Sequence, residues 1–363
     1  MADYRVYWAP ILDPLTITGE LPLTGFTYTD TLNSPGEISG TIPLNPYPAI
    51  DPGAAAWTMD TFGEGRTALW VARDDVPVWT GVLWGYDPDL AGDRLTFHGE
   101  GWHSAIRKFE FVGAYVDTEQ VTIVRDILTV ADNAFLDPGL GPGPAIIQPT
   151  TATGVLRTID WGSFNPVACG EGLERLAGLA DGFDFMYRPY DGSGTWRIEF
   201  DLIHPAAGTD TGLVFELGGN IMDAQIRTNG KNLAMFAATF GNGSGAETLF
   251  SQAINGTFED QGYPPYLTLD SAPDVADQDY LNQFTNRLLA RSAAPVRMID
   301  LTLDPGGAPG IGDYRVGDNV TVIIDRGFVQ IDDTYRIVSK SVQVDNNGME
   351  QVQLSLSPTV LFG

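Results

Sequence analysis

Positive charge is what this chain has least of: 20 Lys and Arg stand against 47 Asp and Glu in 363 residues, a formal net charge of −27. A field of that sign repels free nucleic acid and anionic membrane surfaces, which argues against a protein that grips either one through its bulk charge. Cysteine is almost missing. Cys169 stands alone, so no internal disulfide can form, and its setting in Pro166-Val167-Ala168-Cys169 reads as a small buried core residue. No run approaches the ~20 apolar residues needed to span a bilayer. The opening MADYRVYWAP has no basic region leading into a long apolar segment, so the expectation is a cytoplasmically made protein with no export signal and no membrane span.

Chemistry-bearing motifs are equally thin. Of the three histidines, His98 and His103 flank Glu100 at a strand-to-helix junction, with no third ligand of fixed geometry nearby. His204, beside Pro205, has no Ser or Cys in a nucleophile context. The acids Asp74-Asp75, Asp87, Asp89, Asp325 and Asp332-Asp333 read as turn residues and solvated faces, the last pair in a hairpin connection. A glycosidase needs two carboxylates opposed across a cleft, and with 47 acids no pair stands out. A D-x-D-x-D-G calcium loop is absent. The loop Gly241 to Gly245 opens no helix and carries no lysine, so it reads as a flexible connection and not a phosphate cradle. No catalytic residue, metal or cofactor is assigned.

What the sequence does hold is short strands. Gly 42 and Pro 24 exceed average usage, as many turns require, and 18 Phe, 13 Tyr and 8 Trp belong to a folded chain. Extended runs are expected at Tyr4 to Ala9, Leu21 to Thr29 and Glu37 to Leu44, followed by a Pro-rich bend through Pro43, Pro46, Pro48 and Pro52. The runs Arg66 to Arg73 and Val76 to Trp84 form a hairpin about Asp74-Asp75, and Asp93 to Gly99 adds a strand. Together these predict a small antiparallel barrel or sandwich.

Helical spacing then takes over. Val121, Val124, Ile127, Leu128 and Ala131 predict a helix over Thr118 to Asn133 with Thr118 as N-cap. After the breaker-rich connector Asp137 to Pro149, Asn165 caps a second helix over Pro166 to Ala180. Strands follow at Phe183 to Tyr187, Thr195 to Leu202, Leu213 to Leu217, Met222 to Thr228 and Leu233 to Phe240. A third helix is expected near Asp274 to Ser292, then a strand over Val296 to Leu303. The closing segment Tyr314 to Ser357 alternates with period two, through Val320, Val322 and Ile324, then Tyr335 and Ile337, then Val352, Leu354 and Leu356. With a turn at Asp345-Asn346-Asn347-Gly348, it predicts a three-stranded antiparallel meander.

The fold class expected is mainly β with an α+β insert: two small antiparallel β-barrels with a helical section between them. The divisions are 1–105, 106–190 with two helices, and 191–363 with one inserted helix and the meander. Trp70, Trp79 and Trp84 lie on adjacent strands and Trp102 follows them. Sugar binding would need them exposed, and core or subunit-interface packing is the reading preferred. The candidate assembly interface is therefore Trp70, Trp79, Trp84, Val320, Val322 and Ile324.

The segment RTALWVARDDVPVWTGVLWGYDPDLAGDRLTFHGEGWHSAIRKF resembles the N-terminal barrel of minor tail proteins from siphophages of actinobacteria, through Arg66, Leu69, Val71, Arg73, Asp74, Pro77, Trp79, Gly81 and Trp84. It departs at Asp75, where those proteins often carry Gly, which suggests a longer or differently shaped hairpin. The closing YRVGDNVTVII…YRIVSKSVQVDNNGMEQVQLSLSP resembles the last barrel of tail hub proteins, and the two ends cover about a third of the chain. The resemblance implies a structural virion protein, the baseplate or tail-tip hub. In that setting three two-barrel subunits form a pseudo-hexameric ring that caps the tail tube and serves host attachment and DNA delivery. It also implies a homotrimer, with a distal tail protein and the tube and tape measure above and receptor-binding proteins below. Viral DNA would pass through an acidic lumen without specific binding. Location would be the virion tail tip, assembled in the host cytoplasm. The alternatives are a hexameric distal tail protein and a tail-associated cell-wall hydrolase, the latter requiring a site that the residues do not supply.

Overall fold

The computed structural model describes residues 2–23, 25–44, 63–136, 141–163, 165–179, 181–192, 194–256, 262–273, 275–293 and 296–358. The Pro-rich bend from Pro46 onward, the start of the connector at Asp137, and the expected helix ends Ala180 and Asp274 lie outside the described residues.

The amino-terminal segment forms β1 (Tyr4–Pro10), β2 (Gly19–Leu21), β3 (Phe26–Thr31), β4 (Glu37–Pro43), β5 (Thr67–Arg73), β6 (Val76–Asp89) and β7 (Arg94–Gly101). The middle forms α1 (His103–Ile106), β8 (Glu110–Phe111), β9 (Gly113–Glu119), α2 (Gln120–Ala134), β10 (Leu156–Trp161), β11 (Val167–Ala168), α3 (Cys169–Gly178), β12 (Asp184–Asp191) and β13 (Trp196–Ile203). The remainder forms β14 (Asp210–Glu216), β15 (Ile221–Asn229), β16 (Phe236–Phe240), β17 (Phe250–Ile254), β18 (Leu267–Ser271), α4 (Gln278–Ser292), β19 (Val296–Leu303), β20 (Asn319–Arg326), β21 (Val329–Val344) and β22 (Glu350–Pro358).

Mainly β is the observed class, and two separate barrels are not what is found. Strands from both ends of the chain join one 13-stranded sheet whose path runs β15-β19-β22-β21-β3-β4-β7-β6-β5-β1-β2, with β14 and β20 branching from β21. The join is made by β21. Its first half, Val329 to Arg336, pairs with β20. Its second half, Ser339 to Val344, pairs with β3, while β22 lies along its other edge. The exchange of partners falls at an irregularity between Ile337 and Ser339, a bulge that bends the strand from one half into the other.

Each half curls without a closing ladder. In the carboxyl half, β14 and β15 are the two end strands, brought together by the turn Leu217 to Asn220, where Gly218 N–H donates to Ile221 O at 3.4 Å. In the amino half, Tyr4 on β1 meets Phe26 and Tyr28 on β3 through ring centroids 5.7 and 6.4 Å apart. One apolar core runs through both halves, from Val6, Leu69 and Trp79 to Val320, Val322 and Leu356.

A second core explains why β5 is apolar without alternation. Leu69 and Val71 face the first core, while Ala68 and Trp70 face the second, so both surfaces of the strand are covered. That second core gathers residues from Trp102 to Phe200, so the β12–β13 ladder, which crosses position 190, packs with the helices of the insert. Two of those helices differ from expectation at their starts. The N-cap of α2 is Glu119, whose Oε2 accepts from the Val121 and Thr122 N–H groups at 2.7 and 3.3 Å. Thr118 instead belongs to β9. The second helix begins at Cys169, because Val167 and Ala168 are drawn into a short ladder with Phe111 and Glu110. Asp332 and Asp333 lie inside β21, opposite Ile323 and Val322, and the hairpin connection before it is Gly327-Phe328.

Candidate functional site

Three parts of the chain meet at a buried polar knot. Arg336 on β21 and Asp184 on β12, both nearly inaccessible, form an ion pair. The Arg336 guanidinium also donates to the backbone oxygens of Ala207 and Gly317, at 2.7 and 3.1 Å. Asp184 accepts further bonds from Asn33 Nδ2 at 2.6 Å and from the Ala207 N–H at 2.7 Å. Asn33 turns the chain between β3 and β4 with φ 56, a conformation Asn tolerates, and its Oδ1 accepts from Phe185 N–H at 2.7 Å. Buried charge is tolerated here because the two groups are paired with each other and hydrogen-bonded to the surrounding backbone. The knot ties the amino-terminal turn, the insert and the carboxyl sheet to one another.

The histidines do not converge. His98 is exposed on β7, 3.0 Å from Asp87 Oδ2. His103 is fully buried on α1, its Nε2 2.6 Å from Glu174 Oε1, and Arg107 Nε donates to the same oxygen at 2.6 Å. Burial lowers the His103 pKa against the opposing pull of Glu174. Glu174 is itself held below its ordinary range: burial works the other way, and the His103 and Arg107 hydrogen bonds outweigh it. This is an interior pair that locks α1 to α3. Among the described residues, no group of three His, Cys, Asp or Glu could hold a metal ion.

Of the residues expected at an assembly interface, Trp70, Trp79, Val320, Val322 and Ile324 are buried in this chain and Trp84 is half-buried. Trp70 is 0% and Trp79 is 3% exposed, and Val320, Val322 and Ile324 sit in the first core. Their indoles are bonded inward: Trp70 Nε1–H donates to Pro14 O at 2.8 Å and Trp79 Nε1–H to Thr29 O at 3.2 Å. Trp84 is half-buried, donating to Ser104 Oγ at 2.7 Å beneath Lys108 Nζ at 5.4 Å from its ring. These residues were singled out for hydrophobicity, and hydrophobicity placed them inside.

The surface that is apolar lies elsewhere. Strands β17, β16 and β18, in that order, form a separate sheet. One face covers α4: Thr239 hydrogen-bonds Thr285, and Ser251 Oγ donates to Asn282 Oδ1 at 2.8 Å. The other face carries Phe240, Phe250, Ile254, Leu267 and Leu269, all exposed. The sequence reading left Phe250 to Ile254 and Leu267 to Ser271 unassigned. The signal was present as period-two spacing, Phe250/Gln252/Ile254 and Leu267/Leu269, in runs of five residues.

No protein-family profile matches the sequence, and no curated protein matches it either. Solved structures do match. The 43 kDa tail protein of prophage MuSo2 from Shewanella oneidensis superposes with a TM-score of 0.61 at 14% identity, covering 99% of this chain and 100% of that one. The chain has the fold of a phage tail protein. A tail protein from Neisseria meningitidis gives the same tail-protein fold at a TM-score of 0.59 and 12% identity, covering 99% and 98%. The Francisella PdpA–VgrG complex contains a chain that matches at 0.55 and 9% identity, with 99% of this chain but 58% of that chain covered. The match to the two tail proteins spans 99% of this chain.

Proposed function

We propose that the chain is a structural component of a long-tailed phage virion: the tail-tip hub, a homotrimer that caps the tail tube. The observation that carries this reading is the end-to-end match to a prophage tail protein, 99% of one chain against 100% of the other. Two further features support it. The two ends of the chain build one sheet joined through β21, and in a ring of three chains its amino and carboxyl halves would present six units to a sixfold tube. The net charge of −27 suits a conduit through which DNA passes without being retained. In this reading the distal tail protein and tape measure lie above and receptor-binding proteins below. Assembly takes place in the host cytoplasm, and the role in host attachment and DNA delivery is architectural, without catalysis.

Native mass spectrometry of the purified full chain is expected to show a trimer. Cryo-electron microscopy of the phage is expected to show one such ring at the tail tip. A stable monomer at all concentrations, or a mass of six chains, removes the hub reading, and the second of these favours the distal tail protein.

A further inference from the structure

Among the described residues, the face of the β17-β16-β18 sheet turned away from α4 is out of keeping with the rest of the surface. Along β16 the outward positions are Phe236, Ala238 and Phe240, alternating with Ala237 and with Thr239, which bonds the helix; of the outward three, Phe240 is exposed, Phe236 half-buried and Ala238 buried. Antiparallel pairing sets Phe240 opposite Phe250 and Phe236 opposite Ile254, and parallel pairing on the other edge sets Phe236 beside Leu267 and Ala238 beside Leu269. The rings of Phe240 and Phe250 touch at 5.4 Å between centroids. No charged residue occupies an outward position of the three strands, in a chain with 47 acids.

The exposure is large. Phe240 is 42%, Phe250 46%, Ile254 63%, Leu267 59%, Leu269 60% and the adjoining Tyr266 49% exposed. Five outward side chains of ~200 Å² at about half exposure give on the order of 500 Å² of apolar surface. That is at the upper end of the largest patch on a typical monomer, ~300–600 Å². It also approaches the ~800 Å² per partner of a standard protein interface.

We propose that this face seats a second copy of the chain and forms part of the subunit contact of the trimer. An area of that order is a large share of what each partner buries in a standard protein contact. Two copies that each carry −27 repel, so they have to meet through a patch free of acids, and this face is one. In a closed ring of three the contact is head-to-tail: the face on one copy meets a different surface of the next. The inference rests on the trimeric reading above and assigns a surface to it.

The test uses the full-length chain in two arms. In the first, Leu269→Asp and Phe250→Asp are compared with the unaltered chain by native mass spectrometry and circular dichroism. Both side chains point away from the core, so the expected result is an unchanged fold with at least a tenfold fall in trimer. In the second, Gln252→Cys places a thiol on the outward side of the edge strand β17, between Phe250 and Ile254. Cys169 is buried and its thiol is pushed up to about 11 by burial, so maleimide reads the introduced thiol alone. Labelling is expected to be slow in the trimer and at least tenfold faster when Leu269→Asp is also present.

A folded Leu269→Asp chain that stays trimeric, or a trimer in which the introduced thiol labels freely, overturns the inference and leaves the trimer standing. If the unaltered chain is monomeric, the trimer and the contact fall together. Protection of the thiol that appears only on adding phosphatidylcholine vesicles or purified tail tubes overturns it too, because the face then belongs to another occupant. Should the aspartate variants fail to fold, the labelling rate of Gln252→Cys in the trimer decides the matter alone.

Discussion

The acidic turn Asp74-Asp75 shows what a single residue can and cannot say. The resemblance to tail proteins made Asp75 a departure from Gly and suggested a different hairpin. The turn is in fact a two-residue one, with φ 52 at Asp74 and 63 at Asp75, the geometry in which Asp-Gly is favoured. Asp75 accepts the left-handed conformation that glycine adopts without strain. Asp75→Gly is expected to raise the thermal midpoint by about a degree or two in scanning calorimetry. His103 makes a second residue-scale case. Its folded pKa is depressed from the ordinary 6.5 by burial, so the unfolded chain takes up the proton more readily. The stability it contributes is complete above 6.5 and is lost as pH falls below that value. The gap in midpoint between the unaltered protein and His103→Gln should therefore narrow between pH 7 and pH 5.5. A constant gap would show that the buried imidazole is not the group responsible. The hairpin about Asp74-Asp75 was legible in sequence and its backbone geometry was not; for His98 and His103 the sequence assigned no role, and only the fold separates an exposed strand position from an interior helix.

At the scale of elements, the sequence carried what is periodic and hid what is shared. The meander of β20, β21 and β22 was visible because Val320, Val322 and Ile324 alternate with polar residues, and that alternation is what one buried face requires. That β21 also serves the amino-terminal sheet was not visible, since pairing with β3 depends on residues some 310 positions away. The cap of α2 was misplaced by one residue for a related reason. Glu119 is fixed as cap by Thr153, whose N–H and hydroxyl donate to Oε1 at 2.8 and 2.7 Å. Glu119→Ala should cost about 1 kcal/mol in denaturant unfolding. The Arg336–Asp184 pair is the stronger element-scale test. Arg336→Met leaves a buried carboxylate without its cation and is expected to cost about 3–5 kcal/mol. Adding Asp184→Asn should recover part of that loss, so that the double variant is less impaired than the sum of the singles. Strict additivity would mean that the two side chains do not act as one unit.

For the whole molecule, composition foretold the class and missed the unity. Mainly β structure with an α+β insert follows from many short runs and abundant turn residues. Two independent barrels do not follow, because a single apolar core crosses from Val6 to Leu356. A fragment ending at residue 105 would leave the β3 edge that β21 covers open to water and to other chains. Expressed alone, residues 1–105 are expected to aggregate or remain unfolded by circular dichroism and gel filtration. A soluble, cooperative fragment would restore the two-barrel description. The candidate contact surface was the least legible part, because attention went to the most hydrophobic strands and those are the ones that folding consumes.

The partner exchange along β21 has a mechanical side. A force that pulls one half from the other runs along a single unbroken strand, clasped by β20 at one end and by β3 and β22 at the other. Such a load meets hydrogen bonds side by side in shear instead of opening them one after another. The two halves are then a stiff link in series, suited to passing strain from one end of the chain to the other without a hinge.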